Sequence, residues 1–371
     1  MNRTKWIFLI IAVAALVTGY VLFGQFYSRP LGESLDLPTK APIAKSTEVA
    51  TPTSAPGITA APTEQPTPTP QPLCGGPSLT YVMAVGSDSR GNHYLYGLAD
   101  VIRIARIDFV TPRVTVLEVP RDLWVKIPEI ADHYNITEGK LNQSYLYGNK
   151  GLGYYDGPGQ GPGLLARTLD LNFNIRPDHY LAINMQTFAI LVDAVGGLDV
   201  SLPYDIDART PENPKGWLIT AGSHHFDGQT ALIAARLRPI NTFQRANNQS
   251  IIMCALKKKL LSPAILPKAP ELIKDFGKYI QTDLSPEQIT QLSCLGQKLE
   301  GKDIQFVGFP EGIFSETRKY DPDAKKEVFV LDVDPATLND YISRFQAGDW
   351  PLPQEAATTM KSQTEPGFTC P

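Results

Sequence analysis

The sequence predicts an α/β fold: an α-β-α sandwich around a central mixed β-sheet, preceded by one transmembrane helix. Three observations point there. Short runs rich in Val and Ile recur at 79–85, 101–107 and 113–119, each bounded by turn residues. Apolar residues at helical spacing lie between and after them, at 186–195, 244–261 and 286–299. Elements that interleave in this way build a sheet covered on both faces. The third observation is Trp6 to Phe23, eighteen almost entirely apolar residues without a charge. As a helix it spans roughly 27 Å, close to a bilayer's hydrocarbon core.

Arg3 and Lys5 precede this run and no basic cluster follows it closely. The positive-inside rule then makes residues 1–5 a cytoplasmic tail and places everything after residue 23 outside the cell membrane. The run is longer than a usual signal-peptide core and no clean small-x-small cleavage site follows, so an uncleaved single-pass anchor at 6–23 is expected. Residues 24–73 are rich in Pro, Thr, Ala and Ser and read as a disordered linker. Extended at about 3.1 Å per residue, it reaches on the order of 150 Å and acts as a leash.

A catalytic domain is expected at 74–310, with a C-terminal extension at 311–371 that packs on it. Within the domain, Leu79–Val85, Val101–Ile107 and Arg113–Val119 are neighbouring strands, with Asp108–Pro112 as a turn. The stretch 148–163 holds seven glycines and two prolines and reads as a long loop. A short helix follows at 164–171. The helix at 186–195 stops at Gly196-Gly197, and 198–202 returns as a strand. His224-His225-Phe226 reads as a turn before an Asp227-capped helix at 229–235. Late strands are expected at 304–309 and 328–333, and a last helix at 335–345.

The net charge is −4 and the pI about 5.8, with no dense Lys/Arg stripe, which argues against nucleic acid as a partner. Four cysteines are present and none forms a CxxC pair. In an exported chain an even number suggests disulfides, and three pairings are open. Cys254 with Cys294, both in helix-like segments, and Cys74 with Cys370, at the two ends of the domain, are expected.

The chemistry concentrates after the first strand. Asp88 and Asp100 are hard oxygen ligands, and two carboxylates with phosphate oxygens and waters suit Mg²⁺. Arg90, Arg121, Arg236, Arg238 and Arg245 offer planar forks that match phosphate oxygens. Taken singly, each residue reads as well as a turn, a local ion pair or a solvated face; their joint order carries the argument. There is no GK[ST] phosphate loop and no GxSxG elbow.

That order resembles the LytR-CpsA-Psr family of cell-envelope proteins over roughly Leu79 to Ile252. The matching pieces are Val85-Gly-Ser-Asp-Ser-Arg90, Ala99-Asp100, Val119-Pro-Arg-Asp122, Lys140-Leu-Asn142 with Tyr145, and Val192-Asp-Ala-Val-Gly-Gly-Leu-Asp-Val200. Asp227-Gly-Gln-Thr-Ala-Leu232, Arg236-Leu-Arg238, Arg245 and Gln249 follow. The resemblance implies a membrane-anchored, Mg²⁺-dependent phosphotransferase. It would move a glycopolymer from a polyprenyl-pyrophosphate carrier to a sugar hydroxyl of peptidoglycan or another wall glycan. It implies Asp88 and Asp100 as metal ligands, and Arg90, Arg121, Lys140, Arg236, Arg238, Arg245 and Gln249 as pyrophosphate contacts. Arg121, Asp122, Arg236 and Arg238 would form the catalytic set. Asp122 either takes the acceptor's proton or holds Arg121. The sequence departs from the family pattern at Leu98 and Asn248, where arginines are usual, and around Asn241, where aspartates are usual. A non-catalytic polyprenyl-phosphate- or glycan-binding envelope protein is the alternative, and a pyrophosphatase activity a further one.

Overall fold

The computed structural model describes residues 24–25, 27–38, 70–91, 94–209, 213–237, 242–265, 268–350 and 368–370. The expected tail and anchor, and segment 39–69 of the expected linker, lie outside them. No helix among the described residues is long and apolar enough to cross a membrane.

The strands in chain order are β1 (Leu79–Ser87), β2 (Ala99–Asp108), β3 (Arg113–Glu118), β4 (Trp124–Lys126), β5 (Glu138–Lys140), β6 (His179–Asn184), β7 (Leu198–Leu202), β8 (Ile206–Asp207), β9 (Leu218–Ile219), β10 (Gly222–Phe226), β11 (Gln281–Thr282), β12 (Ile304–Val307), β13 (Phe314–Asp321), β14 (Lys326–Val333) and β15 (Phe368–Thr369). The helices are α1 (Leu141–Gly148), α2 (Gln160–Phe173), α3 (Met185–Ala194), α4 (Gly228–Arg236), α5 (Thr242–Leu260), α6 (Ala269–Phe276), α7 (Pro286–Lys298) and α8 (Pro335–Ala347).

The central sheet runs β11-β6-β1-β2-β3-β12-β15. It is mixed: β1 pairs parallel with β6 and β3 with β12, while β1, β2 and β3 are antiparallel neighbours. Side chains alternate across a strand, so β1 feeds two cores. Met83 and Val85 join the cluster that holds Leu141, Tyr145, Leu164 and Leu169 of α1 and α2. Val82 joins the cluster with Cys254 of α5 and Leu295 of α7. Helices therefore cover both faces.

The expected strands at 79–85, 101–107 and 113–119 lie within or against β1, β2 and β3. Other expectations change. The Gly-rich stretch is not all loop, because α2 begins at Gln160 inside it. Its glycines serve close packing: a Cβ on Gly148 would lie 2.7 Å from the Gln160 carbonyl oxygen, and one on Gly163 would lie 1.9 Å from that of Pro158. His224 to Phe226 is not a turn but part of β10, paired with β7 outside the central sheet. The β7–β10 pair packs with α3, α4 and α5 around Leu198, Phe226 and Ile252.

The described residues beyond 310 are integral to the domain. Leu338, Ile342, Phe345 and Trp350 sit in the main core, and Leu331 of β14 donates its N–H to the Asp122 carbonyl.

The disulfides differ from the expected pairs: they are Cys74–Cys294 and Cys254–Cys370. The reason is where the ends run. The turn at Cys74 lies against α7, with Gln291 donating to the Gly75 carbonyl, while β15 adds to β12 at the sheet edge beside α5. Each helix cysteine thus meets an end of the domain, not the other helix. A disulfide typically constrains the unfolded chain by about 2–4 kcal/mol. Replacing Cys254 and Cys370 by Ala is expected to lower the unfolding free energy by that order, measured by denaturant titration under non-reducing conditions.

The expected linker also changes. Residues 28–38 lie against the domain: Leu35 is buried in the main core, and the Arg167 guanidinium donates to the carbonyls of Leu35 and Asp36.

Candidate active site

The site forms where β1, β2 and β3 end or begin on the same side of the sheet. The β1–β2 ladder shifts register between Gly86 and Ser87, so Ser87 pairs with Ala99. This irregularity turns the chain after β1 and sets Asp88 beside the start of β2. The Asp88 backbone N–H donates to the Leu98 carbonyl, 3.0 Å, and Leu98 N–H donates back to Asp88 Oδ1, 2.6 Å. Leu98 therefore contributes through its backbone, which needs no arginine. The loop beyond is tied to β6: Asn184 donates to the Gly91 carbonyl and its backbone N–H donates to the Tyr94 hydroxyl.

Burial pushes the Asp88 carboxyl above its ordinary range, and the Asp100 charge adds to this; the Leu98 N–H, Arg121 and Arg236 pull the other way. A carboxylate pair close enough to repel is a setting that a hard cation relieves. Asp88 and Asp100 thus fit Mg²⁺, which takes one or two carboxylates and keeps waters and phosphate oxygens as its other ligands. No group of three or more His, Cys, Asp or Glu side chains suited to a metal occurs among the described residues.

Arg121 and Asp122 follow β3. The Arg121 guanidinium is paired with the Asp100 carboxylate through Nη1 and with Asp122 Oδ2 through Nε, 3.2 Å. Lys140, at the end of β5 and the start of α1, donates Nζ to Asp122 Oδ1 at 2.9 Å. Asp122 is 4 % exposed and has both oxygens engaged. Burial pushes its carboxyl up, but Arg121, Lys140 and Arg245 outweigh this and hold it below the ordinary range. Such a carboxylate is a poor proton acceptor and a good anchor for two cations. Asp122 is therefore a positioning residue for Arg121 and Lys140.

Arg236 lies in the last turn of α4, where its charge also suits the helix dipole, and it is exposed and near enough to act on Asp88. Arg245 of α5 is buried, and its charge acts on Asp122 and Glu118. Gln249 is buried in the same helix and donates its amide to the Ala235 carbonyl, one residue before Arg236. It ties α5 to the end of α4. Arg90 is exposed in the loop after β1. Arg238 and Asn241 lie outside the described residues. Asn248 is 1 % exposed and accepts from the Tyr204 hydroxyl, so it anchors the segment before β8.

Two residues absent from the sequence reading complete the arrangement. Arg103 on β2 is 1 % exposed and donates to the Ser250 hydroxyl and the Ala246 carbonyl of α5. Its cross-strand partner is Glu118 on β3. Burial raises the Glu118 carboxyl, against the pull of Arg103 and Arg245. The Arg103 hydrogen bonds to Ser250 and Ala246 fix α5, and with it Arg245, on the sheet. The one available signal was a charge inside the apolar run 101–107.

The LytR_cpsA_psr family model matches residues 77–327. The chain belongs to this family. Among similar LytR-CpsA-Psr proteins is the regulatory protein MsrR of Staphylococcus aureus, 26% identical over 213 residues, which are 57% of this chain and 59% of MsrR. The polyisoprenyl-teichoic acid–peptidoglycan teichoic acid transferase TagU of Oceanobacillus iheyensis is 27% identical over 214 residues, 57% of this chain and 61% of TagU. The matches thus span about three-fifths of these relatives' lengths. The crystal structure of B. subtilis TagV shares the fold, with a TM-score of 0.55 and 19% identity over 73% of this chain and 97% of TagV.

Proposed function

We propose that the chain is a membrane-anchored phosphotransferase that moves a wall glycopolymer from a polyprenyl-pyrophosphate carrier to a sugar hydroxyl of peptidoglycan or another wall glycan. The observation that carries this reading is the convergence of Asp88, Asp100, Arg121, Lys140 and Arg236 at one end of the sheet. Cations alone would make a phosphate-binding patch; a repelling carboxylate pair among them adds the place for Mg²⁺. The relative TagU, a polyisoprenyl-teichoic acid–peptidoglycan teichoic acid transferase, supports the substrate class.

Arg121, Lys140 and Arg236 bind and orient the pyrophosphate oxygens, and Asp122 keeps Arg121 and Lys140 in place. Asp88 and Asp100 would hold Mg²⁺, which would neutralise charge on the phosphates. The acceptor hydroxyl's oxygen forms a bond to the phosphorus that carries the glycan, and its proton passes to the departing phosphate. The bond from that phosphorus to the bridging oxygen breaks, and polyprenyl phosphate leaves. Fixed donors in a partly enclosed site stabilise the charge that develops.

The competing reading is a binding protein without turnover. It is favoured by Asn248, which is committed to Tyr204 where an arginine is usual in the family. Purified full-length chain, with its disulfides intact and Mg²⁺ present, is expected to release polyprenyl phosphate from a polyprenyl-pyrophosphate glycan. Saturable binding with no release from several such lipids would favour the binding reading.

A further inference from the structure

The expected leash begins on the domain itself. The Ser28 hydroxyl donates to Glu287 in the first turn of α7 at 2.7 Å, and Leu31 N–H donates to the Leu284 carbonyl at 3.2 Å. Gly32 lies so near β11 that a Cβ would stand 2.6 Å from the Thr282 carbonyl oxygen. The Tyr180 hydroxyl donates to the Glu33 carbonyl. Arg167 is 7 % exposed and donates to the carbonyls of Leu35 and Asp36, and Arg176 donates to that of Pro38. Leu35 is 2 % exposed. A segment tied at so many consecutive residues is part of the domain.

Both flanks of segment 39–69 are then attached. Pro38 is held by Arg176, and Leu73 N–H donates to the Phe109 carbonyl beside the Cys74–Cys294 bridge. The length of that segment cannot set the distance between domain and bilayer. What sets it is the interval from Phe23 to Ser28. The described residues of this interval are helical, and Ser28 N–H donates to the Gly24 carbonyl. The helical turn that this bond closes, from Gly24 to Ser28, rises about 6 Å, roughly the thickness of one headgroup layer.

We propose that the edge of the domain made by residues 28–32, Thr282–Leu284 and the first turn of α7 is its membrane-facing surface, with lipid headgroups as the partner. Residues 28–38 are the strap that holds it there. The proposal rests on the expected anchor at 6–23. It also places the candidate site. Neighbouring strands lie about 4.8 Å apart. Asp88 follows β1, two strands in from β11, and Arg121 follows β3, four strands in. Asp88 and Arg121 therefore stand roughly 10–20 Å from the membrane edge, and a lipid-borne pyrophosphate has to rise by that amount to meet them.

The test uses the full chain in lipid nanodiscs that contain a nickel-chelating lipid. The four native cysteines are tied in disulfides, so one added cysteine takes a fluorophore. Thr290→Cys puts it on the exposed face of α7 near the proposed surface, and Lys302→Cys puts it just before β12, five strands from β11. The Thr290→Cys label is expected to be quenched several-fold more than the Lys302→Cys label. Doubling segment 39–69 with Gly and Ser residues should leave both values unchanged. Leu35→Asp combined with Arg167→Gln, which releases the strap, should bring the two labels together. Equal quenching in the unmodified chain, or a difference that shrinks when the segment is doubled, overturns the proposal. A chain that fails to enter nanodiscs at all removes the anchor, and the membrane-facing surface with it.

Discussion

Arg121→Ala is expected to lower turnover by ~10²–10³-fold, the usual cost of losing one preorganised donor at a developing charge. Arg121 sits between the two halves of the site, paired with Asp100 on one side and Asp122 on the other. Its loss removes a phosphate donor and frees two carboxylates to repel the substrate. Arg121→Lys should recover little, because an ammonium is a single point and cannot span both carboxylates as a fork does. Steady-state release of polyprenyl phosphate, with a melting curve on the same samples, checks this. Turnover within threefold of the unmodified chain in a folded Arg121→Ala protein would contradict the assignment.

The second large effect is a separation of stability from activity at Asp88. Its folded pKa is raised, so its favourable contribution belongs to the protonated form and is lost as pH rises through that raised value. At pH 7 the ionised carboxylate is a cost. Asp88→Asn keeps an acceptor for the Leu98 N–H and removes the charge. The variant is expected to melt higher than the unmodified chain at pH 7 without divalent cation. The gain should fade as pH falls through the raised value toward the ordinary Asp value of about 3.9, and vanish below it, where the carboxyl is protonated in both states. Added Mg²⁺ should stabilise the unmodified chain and not the variant, and turnover should be lost. Asp122 has the opposite sign. Its folded pKa is depressed, so its contribution is present above the ordinary carboxylate range and lost as pH falls through the depressed value. A melting series with and without Mg²⁺ tests both residues; a variant that melts lower at pH 7 would contradict the reading of Asp88.

The sequence made β1, β2 and β3 legible because buried strands in a covered sheet leave Val- and Ile-rich runs. The joint order of Asp88, Asp100, Arg121 and Arg236 was also legible, since polar residues at strand and helix ends are few and their types are restrictive. β6 was not: its apolar run, Tyr180 to Ile183, is only four residues long between His179 and Asn184. α1 was missed because its buried face includes Asn142, Gln143 and Ser144, which read as polar. Gln143 is buried because it donates to Asp321, from the hairpin at the far end of the chain. The roles of Gln249 and Asn248 depend on which way a helix faces, and single residues do not reveal that. The pairing of cysteines and the docking of residues 28–38 are tertiary outcomes of the same kind. The linker expected at 24–73 from Pro and Thr content was extended too far toward the N-terminus, because residues 28–38 lie against the domain.

The central claim concerns the fate of one phosphate. Phosphorus NMR on the full chain, Mg²⁺, a polyprenyl-pyrophosphate glycan and a wall-glycan acceptor follows it directly. The pyrophosphate signals are expected to give way in equal amounts to polyprenyl phosphate and to a phosphodiester joining glycan and acceptor. Persistence of the pyrophosphate signals, or conversion to polyprenyl phosphate and a glycan monophosphate with no phosphodiester, would contradict it.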